Sequence, residues 1–166
     1  MDAIYIPQLL KAPEQTEEVP VREYLPDLKT LTPVQGLIRV THRGNYLEVA
    51  ATAEAIMTLT CDRCLQQYNH RVTVDTSELI WLQESPTYSP TDLEQEIALD
   101  DLVETLPPTG HFQPGEWLYE QLCLAMPQRQ LCNQDCQGIQ VETQLEGSSP
   151  VDQRWASLKN LRNHLN

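Results

Sequence analysis

The sequence predicts an α+β fold. An antiparallel β-meander, forming a partly open barrel-like sheet, leads into two or three C-terminal helices and a Cys-rich clasp. Three observations carry this. Residues 46–60, YLEVAATAEAIMTLT, are apolar at every odd position, Leu47, Val49, Ala51, Ala53, Ala55, Met57 and Leu59, with Glu48, Thr52, Glu54, Thr58 and Thr60 among the even ones, the period of two that marks a half-buried strand. Residues 115–127 and 149–165 instead carry apolar side chains at helical spacing. Four of the five cysteines fall in two short-spaced pairs, Cys61/Cys64 and Cys132/Cys136, outside those periodic runs.

The elements follow in chain order. Residues 1–33 are rich in Pro and Glu, and the prolines at 7, 13, 20, 26 and 33 cut the apolar pieces short. They read as an extended N-terminal arm with one or two strands at most, such as residues 21–25. Residues 34–166 read as a single domain. Its first strand, GLIRVTH, meets the long alternating strand through RGN, where Gly44 and Asn45 tolerate positive φ and so favour a hairpin. After Cys64 the alternation resumes, with Tyr68, Val72, Val74, Ile80 and Leu82 on one face. Residues 35–82 are therefore expected to form a three-stranded meander, with the CxxC in its second turn.

Residues 84–96 read as an acidic Pro/Ser loop, and 97–106 as a short strand running into a helical turn that Pro107 and Pro108 stop. Residues 115–127 predict a helix with Trp117, Leu118, Leu122 and Met126 on one side, ended by Pro127. LCNQDCQG, residues 131–138, is a Cys-rich turn. Ser149 and Pro150 open the last helix, whose stripe is Trp155, Leu158, Leu161 and Leu165.

Charge narrows the partners. The formal net charge is −13, and from Asp75 to Met126 there is no Lys or Arg against eleven Asp and Glu. A continuous acidic surface repels phosphate backbones and attracts basic protein surfaces; a merely solvated acidic face is the alternative. No apolar run approaches the ~18 residues of a membrane span, and the early acid in MDAIYIPQLL makes a poor secretory signal. The expected setting is the cytoplasm, where thiols stay reduced.

That setting bears on the cysteines. Two short-spaced thiol pairs brought together by the fold supply the four soft ligands that tetrahedral zinc takes, so Cys61, Cys64, Cys132 and Cys136 are candidate ligands of a structural, zinc-knuckle-like clasp. Two other readings stay open: a redox or regulatory CxxC, and unligated thiols in turns. A redox pair needs a helix N-terminus in a βαβ setting, and here the CxxC joins antiparallel strands. Cys123 lies on the helix and reads as a small hydrophobe. Nothing argues for catalysis: His42, His70, His111 and His164 are scattered, no phosphate-binding, zincin or nucleophile-elbow motif occurs, and Asp100/Asp101 fit a helix start.

Taken in order, TLTCDRCLQQY, an acidic stretch, EQLCLAMPQRQLCNQDCQG and DQRWASLKNL resemble the YceD family, the large ribosomal RNA subunit accumulation proteins, over residues 30 to 161. The resemblance implies a non-enzymatic factor supporting accumulation or maturation of 23S rRNA and large-subunit assembly by binding a pre-ribosomal component. The four paired cysteines match the family's recurrent ones. Where many members carry further cysteines, this chain has GIQVETQLEGSS, which argues against a second metal; PPTGHFQPG is an insertion relative to shorter members. The implied partners are 23S rRNA or its precursor and a basic large-subunit ribosomal protein. The acidic stretch would face the protein, and Arg39, Arg43, Arg63, Arg71, Arg154, Lys159 and Arg162 would face RNA, unless they are ordinary surface charges. A thiol redox or regulatory protein using the CxxC is the alternative function, and an adaptor acting by charge alone is a third.

Overall fold

The structure, a computed structural model, describes residues 1–84 and 104–139. In chain order these are strand β1 (Ile4–Tyr5), helix α1 (Ile6–Leu9), a 3₁₀ turn (Pro13–Gln15), β2 (Thr16–Glu23), β3 (Val34–His42), β4 (Tyr46–Thr60), β5 (Gln67–Leu82), β6 (Thr105–Leu106), β7 (His111–Phe112) and helix α2 (Pro114–Leu124). The expected acidic loop, most of the strand-to-turn segment at 97–106 and the last helix lie outside the described residues. So do Arg154, Lys159 and Arg162.

The meander forms as its periodicity dictates. β3, β4 and β5 are sequential antiparallel neighbours, with Val40 opposite Val49 and Ala53 opposite Val74. Every odd residue of β4 from Leu47 to Leu59 is buried, as are Val72, Val74 and Ile80 of β5. Each fully buried Leu, Ile or Val contributes about 1.5–3 kcal/mol, so slipping β4 by one position would turn its whole apolar set into water. Gly36 of β3 sits where a Cβ would lie 2.7 Å from the Ala53 Cα; only a bare Cα lets β3 approach β4 there. At the first turn Gly44 takes a φ of 95°, which its lack of a side chain allows.

One expectation is corrected. The sheet is open, not barrel-like: its order is β2-β3-β4-β5-β6 and the outer strands do not meet. Beside the 15- and 16-residue β4 and β5, the outer strands are an eight-residue β2 and a two-residue β6, too little paired length to shear round into closure. Among the described residues only one helix, α2, follows the sheet; the other, α1, lies near the N-terminus.

Residues 1–33 are built into the core. β2 pairs with β3 along its whole length, Thr16 opposite Thr41 and Glu23 opposite Val34, so the strand overlaps the expected 21–25 but begins earlier, at Thr16. β1 pairs with β7, Ile4 opposite Phe112. Ile4, Ile6, Leu9, Val21, Leu25 and Leu28 belong to the same apolar cluster as the sheet. α2 closes the far side with Trp117, Leu118 and Leu122 buried. It is pinned to the sheet through Glu78, whose carboxylate accepts from Trp117 Nε1 at 2.7 Å and Gln121 Nε2 at 3.1 Å.

Candidate metal centre

The turn from β4 to β5 extends the strand ladder: the Cys61 N–H donates to the Gln66 carbonyl at 2.9 Å, and the Leu65 N–H to the Cys61 carbonyl at 2.9 Å. To close this tightly Leu65 takes a φ of 61°, a left-handed conformation costing a residue with a Cβ about 1–2 kcal/mol.

The loop after α2 is held against that turn by backbone recognition. The Asp62 N–H donates to the Gln130 carbonyl, and the Gln130 N–H donates back to the Asp62 carboxylate, each at 2.7 Å. Arg63 Nη1 donates to the Cys136 carbonyl at 3.0 Å and to the Gln134 carbonyl at 3.4 Å. Asn133 shapes the second turn, its Oδ1 accepting from the Asp135 N–H at 3.1 Å and its carbonyl from the Cys136 N–H at 3.2 Å. Gly138 then leaves with a φ of 78°.

These contacts converge four thiols. Cys61 Sγ lies 3.8 Å from Cys136 Sγ, and Cys64 Sγ lies 3.7 Å from Cys132 Sγ. All four sulfurs fall within 4.8 Å of one another. A disulfide would require about 2.05 Å, and all five cysteines are free. A tetrahedron with metal–sulfur bonds of about 2.3 Å has edges of about 3.8 Å, so these two separations already match it, and no sulfur pair exceeds that edge by more than about 1 Å. The donor set therefore fits a four-thiolate metal ion. Cys61 is fully buried, Cys64 and Cys136 are half-buried, and Cys132 is exposed.

The electrostatics favour a cation. Amide donors lower the Cys61 thiol to about 6, that of Cys132 foremost, then Cys64 and Arg63, against the opposing effect of burial. Cys132 is pushed up to about 12, because it shares its proton with the sulfurs of Cys136, Cys61 and Cys64. Cys64 receives a favourable amide bond from Gln66, yet burial and the sulfurs of Cys61 and Cys136 leave it raised. One thiolate is thus stabilised while its neighbours resist ionising beside it; a divalent ion supplies the missing charge and displaces their protons.

The four described arginine candidates do not form one basic surface. Arg39 pairs with Glu18 at 2.7 Å, Arg43 with Glu48 at 2.8 Å and Arg71 with Glu54 at 2.8 Å, all on the exposed side of the sheet. Arg63 belongs to the clasp. Sequence reasoning missed Asp62, whose signal is an Asx residue in a tight turn. It also missed Gln130, which contributes only its backbone and leaves no signal.

A small open sheet, antiparallel except where the two-residue β6 joins β5 in parallel, its longest hairpin tied by four thiols to the loop after its capping helix, defines the class: a sheet-built protein with a four-cysteine clasp. The chain belongs to the YceD family, whose model, described as large ribosomal RNA subunit accumulation protein YceD, matches residues 49–162. The match begins inside β4, later than the residue 30 expected from sequence, and takes in both thiol pairs. The family description implies a role in accumulation of the large-subunit rRNA. No curated protein and no solved structure matches the chain. Among the described residues no helix is long and apolar enough to cross a membrane.

Proposed function

We propose that this chain is a non-enzymatic cytoplasmic factor that supports accumulation or maturation of 23S rRNA and large-subunit assembly by binding a pre-ribosomal component. Its fold is held by a structural zinc ion on Cys61, Cys64, Cys132 and Cys136. The observation that carries the reading is the family match over residues 49–162, a span that includes all four converging thiols. Zinc is favoured over the oxygen-seeking magnesium, calcium and manganese by an all-sulfur, tetrahedrally spaced donor set. The thiol-redox alternative is less well supported, because each thiol of the CxxC stands against a thiol of the other loop, Cys61 against Cys136 at 3.8 Å and Cys64 against Cys132 at 3.7 Å, in one set of four sulfurs.

A basic ribosomal protein fits the described surface better than naked RNA does. Between α2 and the segment after β2 lies a concavity of about 450 Å³ with the carboxylates of Asp27, Glu116 and Glu120, that of Glu23 paired with the Met1 ammonium at 2.8 Å, the rings of Tyr24 and Tyr119, and no Lys or Arg side chain. An RNA contact through Arg39, Arg43 or Arg71 would compete with a carboxylate already in place. The test is depletion of the protein with quantification of 23S against 16S rRNA, paired with low-salt recovery of the tagged chain from growing cells. A falling 23S/16S ratio, with 23S precursor and large-subunit proteins recovered, is expected. An unchanged ratio would overturn the proposal.

A further inference from the structure

The β4–β5 ladder fixes which backbone groups look away from the sheet. The Leu82 N–H donates to the Asn45 carbonyl at 2.8 Å, and at the other end the Cys61 N–H reaches Gln66 at 2.9 Å. With Tyr46 opposite Trp81 and the register unbroken to Thr60 opposite Gln67, the even-numbered residues of β5 exchange hydrogen bonds with β4. The odd-numbered ones point N–H and C=O to the far edge. At Trp81 that outward N–H meets the Glu104 carbonyl at 3.0 Å, where β6 begins. From Asn69 to Leu79 the outward groups have no backbone partner among the described residues.

The sheet's two edges are built differently. β2 carries Pro20 in mid-strand with Glu17, Glu18 and Arg22 around it, the usual protection of an edge against further pairing. The β5 edge has no Pro, Gly or Lys between Asn69 and Leu79. Its charges are self-complementary instead: Arg71 and Asp75 stand symmetrically about Thr73 on the exposed face.

We propose that β5 is a homodimer edge, pairing antiparallel with β5 of a second copy about a two-fold axis at Thr73. In that register Arg71 faces the partner's Asp75 and Asp75 faces the partner's Arg71, while Asn69 faces the partner's Ser77. Every outward amide and carbonyl from Asn69 to Ser77 is paired, and Val72 adjoins the partner's Val74 on the buried face, so the apolar layers of two sheets run together. Moving the axis to Arg71 or to Asp75 sets like charges opposite each other, which is destabilising; charge therefore selects the register. Arg71 holds Glu54 through Nη1 and keeps its other N–H groups for the second carboxylate. The inference is independent of the metal and of any ribosomal role.

The experiment is sedimentation equilibrium of the full chain across a wide concentration range, with amide exchange resolved by residue. A reversible dimer is expected. The outward amides of Asn69, Arg71, Thr73, Asp75 and Ser77 should gain protection with concentration, while the even-numbered amides of β5 stay protected throughout. Asp75→Arg and Arg71→Asp, both at exposed positions, should each weaken association about tenfold or more by placing like charges opposite on both sides of the axis. An equimolar mixture of the two variants should dimerise like the wild type, because each mutant edge complements the other. A chain monomeric at every concentration overturns the proposal. So does a dimer indifferent to either reversal, or protection of the outward amides in the monomer, which would mean that another part of the same chain covers the edge.

Discussion

Breaking the tie between the two thiol-bearing loops is expected to remove about 4–5 kcal/mol of stability. The perturbation is withdrawal of the metal by a chelator, or replacement of one ligand, Cys61→Ser or Cys136→Ser. The Cys61–Cys136 and Cys64–Cys132 pairs join residues 75 and 68 positions apart. In the native protein those sulfurs already stand together, whereas an unfolded chain must first close a loop of that length, at a cost of about 4–5 kcal/mol. The ion therefore prefers the folded state by at least that difference, and removing it forfeits the preference. Against total stabilities of about 5–15 kcal/mol the loss is large, and for a domain of this size it lowers Tm by about 10–20 °C. The assay is thermal unfolding of zinc-loaded and metal-free protein under equal reductant, with bound metal counted by mass spectrometry. Cys123→Ser, outside the clasp, serves as the control. A Tm that moves by less than about 3 °C on metal removal would refute the reasoning and leave the Asp62–Gln130 and Arg63 hydrogen bonds as sufficient to join the loops.

Gly36→Ala drives a Cβ into the backbone of β4, beside Thr52 and Ala53, and should cost about 1–3 kcal/mol or more in denaturant titrations; a neutral result would mean β3 and β4 separate easily. Leu65→Gly removes a side chain from left-handed backbone where it is mostly solvent-exposed. It should stabilise the protein by about 0.5–1 kcal/mol, and a loss of stability would show that Leu65 makes contacts worth more than its strain. Glu104 is raised above 4.5 by burial first, then by the charges of Glu78 and Glu120. The native state therefore holds its proton more tightly than the unfolded chain: this contribution is fully present below 4.5 and is lost as pH rises through the folded value. Glu104→Gln should accordingly stabilise the protein at neutral pH and lose that advantage towards pH 4, as read by melts across the range; a benefit independent of pH would point to packing instead.

The meander was legible because each of its strands carries its own signal. β4 alternates through fifteen residues, and every odd position from Leu47 to Leu59 proved buried. α2 was legible in its stripe, although it starts at Pro114 and leaves Met126 beyond its end. The thiol cluster was legible as spacing, since nothing but four sulfurs was needed to suggest it. Residues 1–33 were not legible, for a physical reason. β1, α1 and β2 are short, and Pro20 reads as a breaker unless the strand is known to be an edge. Their burial is also decided by partners far along the chain, as when Ile4 meets Phe112. Arg63 misled for the same reason: its acceptors lie 71 and 73 residues away, and a lone Arg beside a turn looks like surface charge. Glu78 did leave a trace, as an acid on the apolar face of β5 between Val74 and Ile80, which implies donors such as Trp117 and Gln121.

The 75 positions from Cys61 to Cys136 are also an interval in time. At synthesis rates of about 5–20 residues per second, roughly 4–15 s separate the emergence of the two thiols. During that delay β3, β4 and β5 can already zip into their hairpins from neighbouring sequence alone, because each turn is short. Cys61 and Cys64 must wait as a bare pair, and Ile4 waits likewise for Phe112. The nascent protein is thus a finished ribbon with both fastenings undone, its N-terminal apolar residues and first thiols open to chaperones and to stray metal. Closure comes late and in order, the N-terminal strand when Phe112 arrives and the thiols when the turn that carries Cys132 and Cys136 follows.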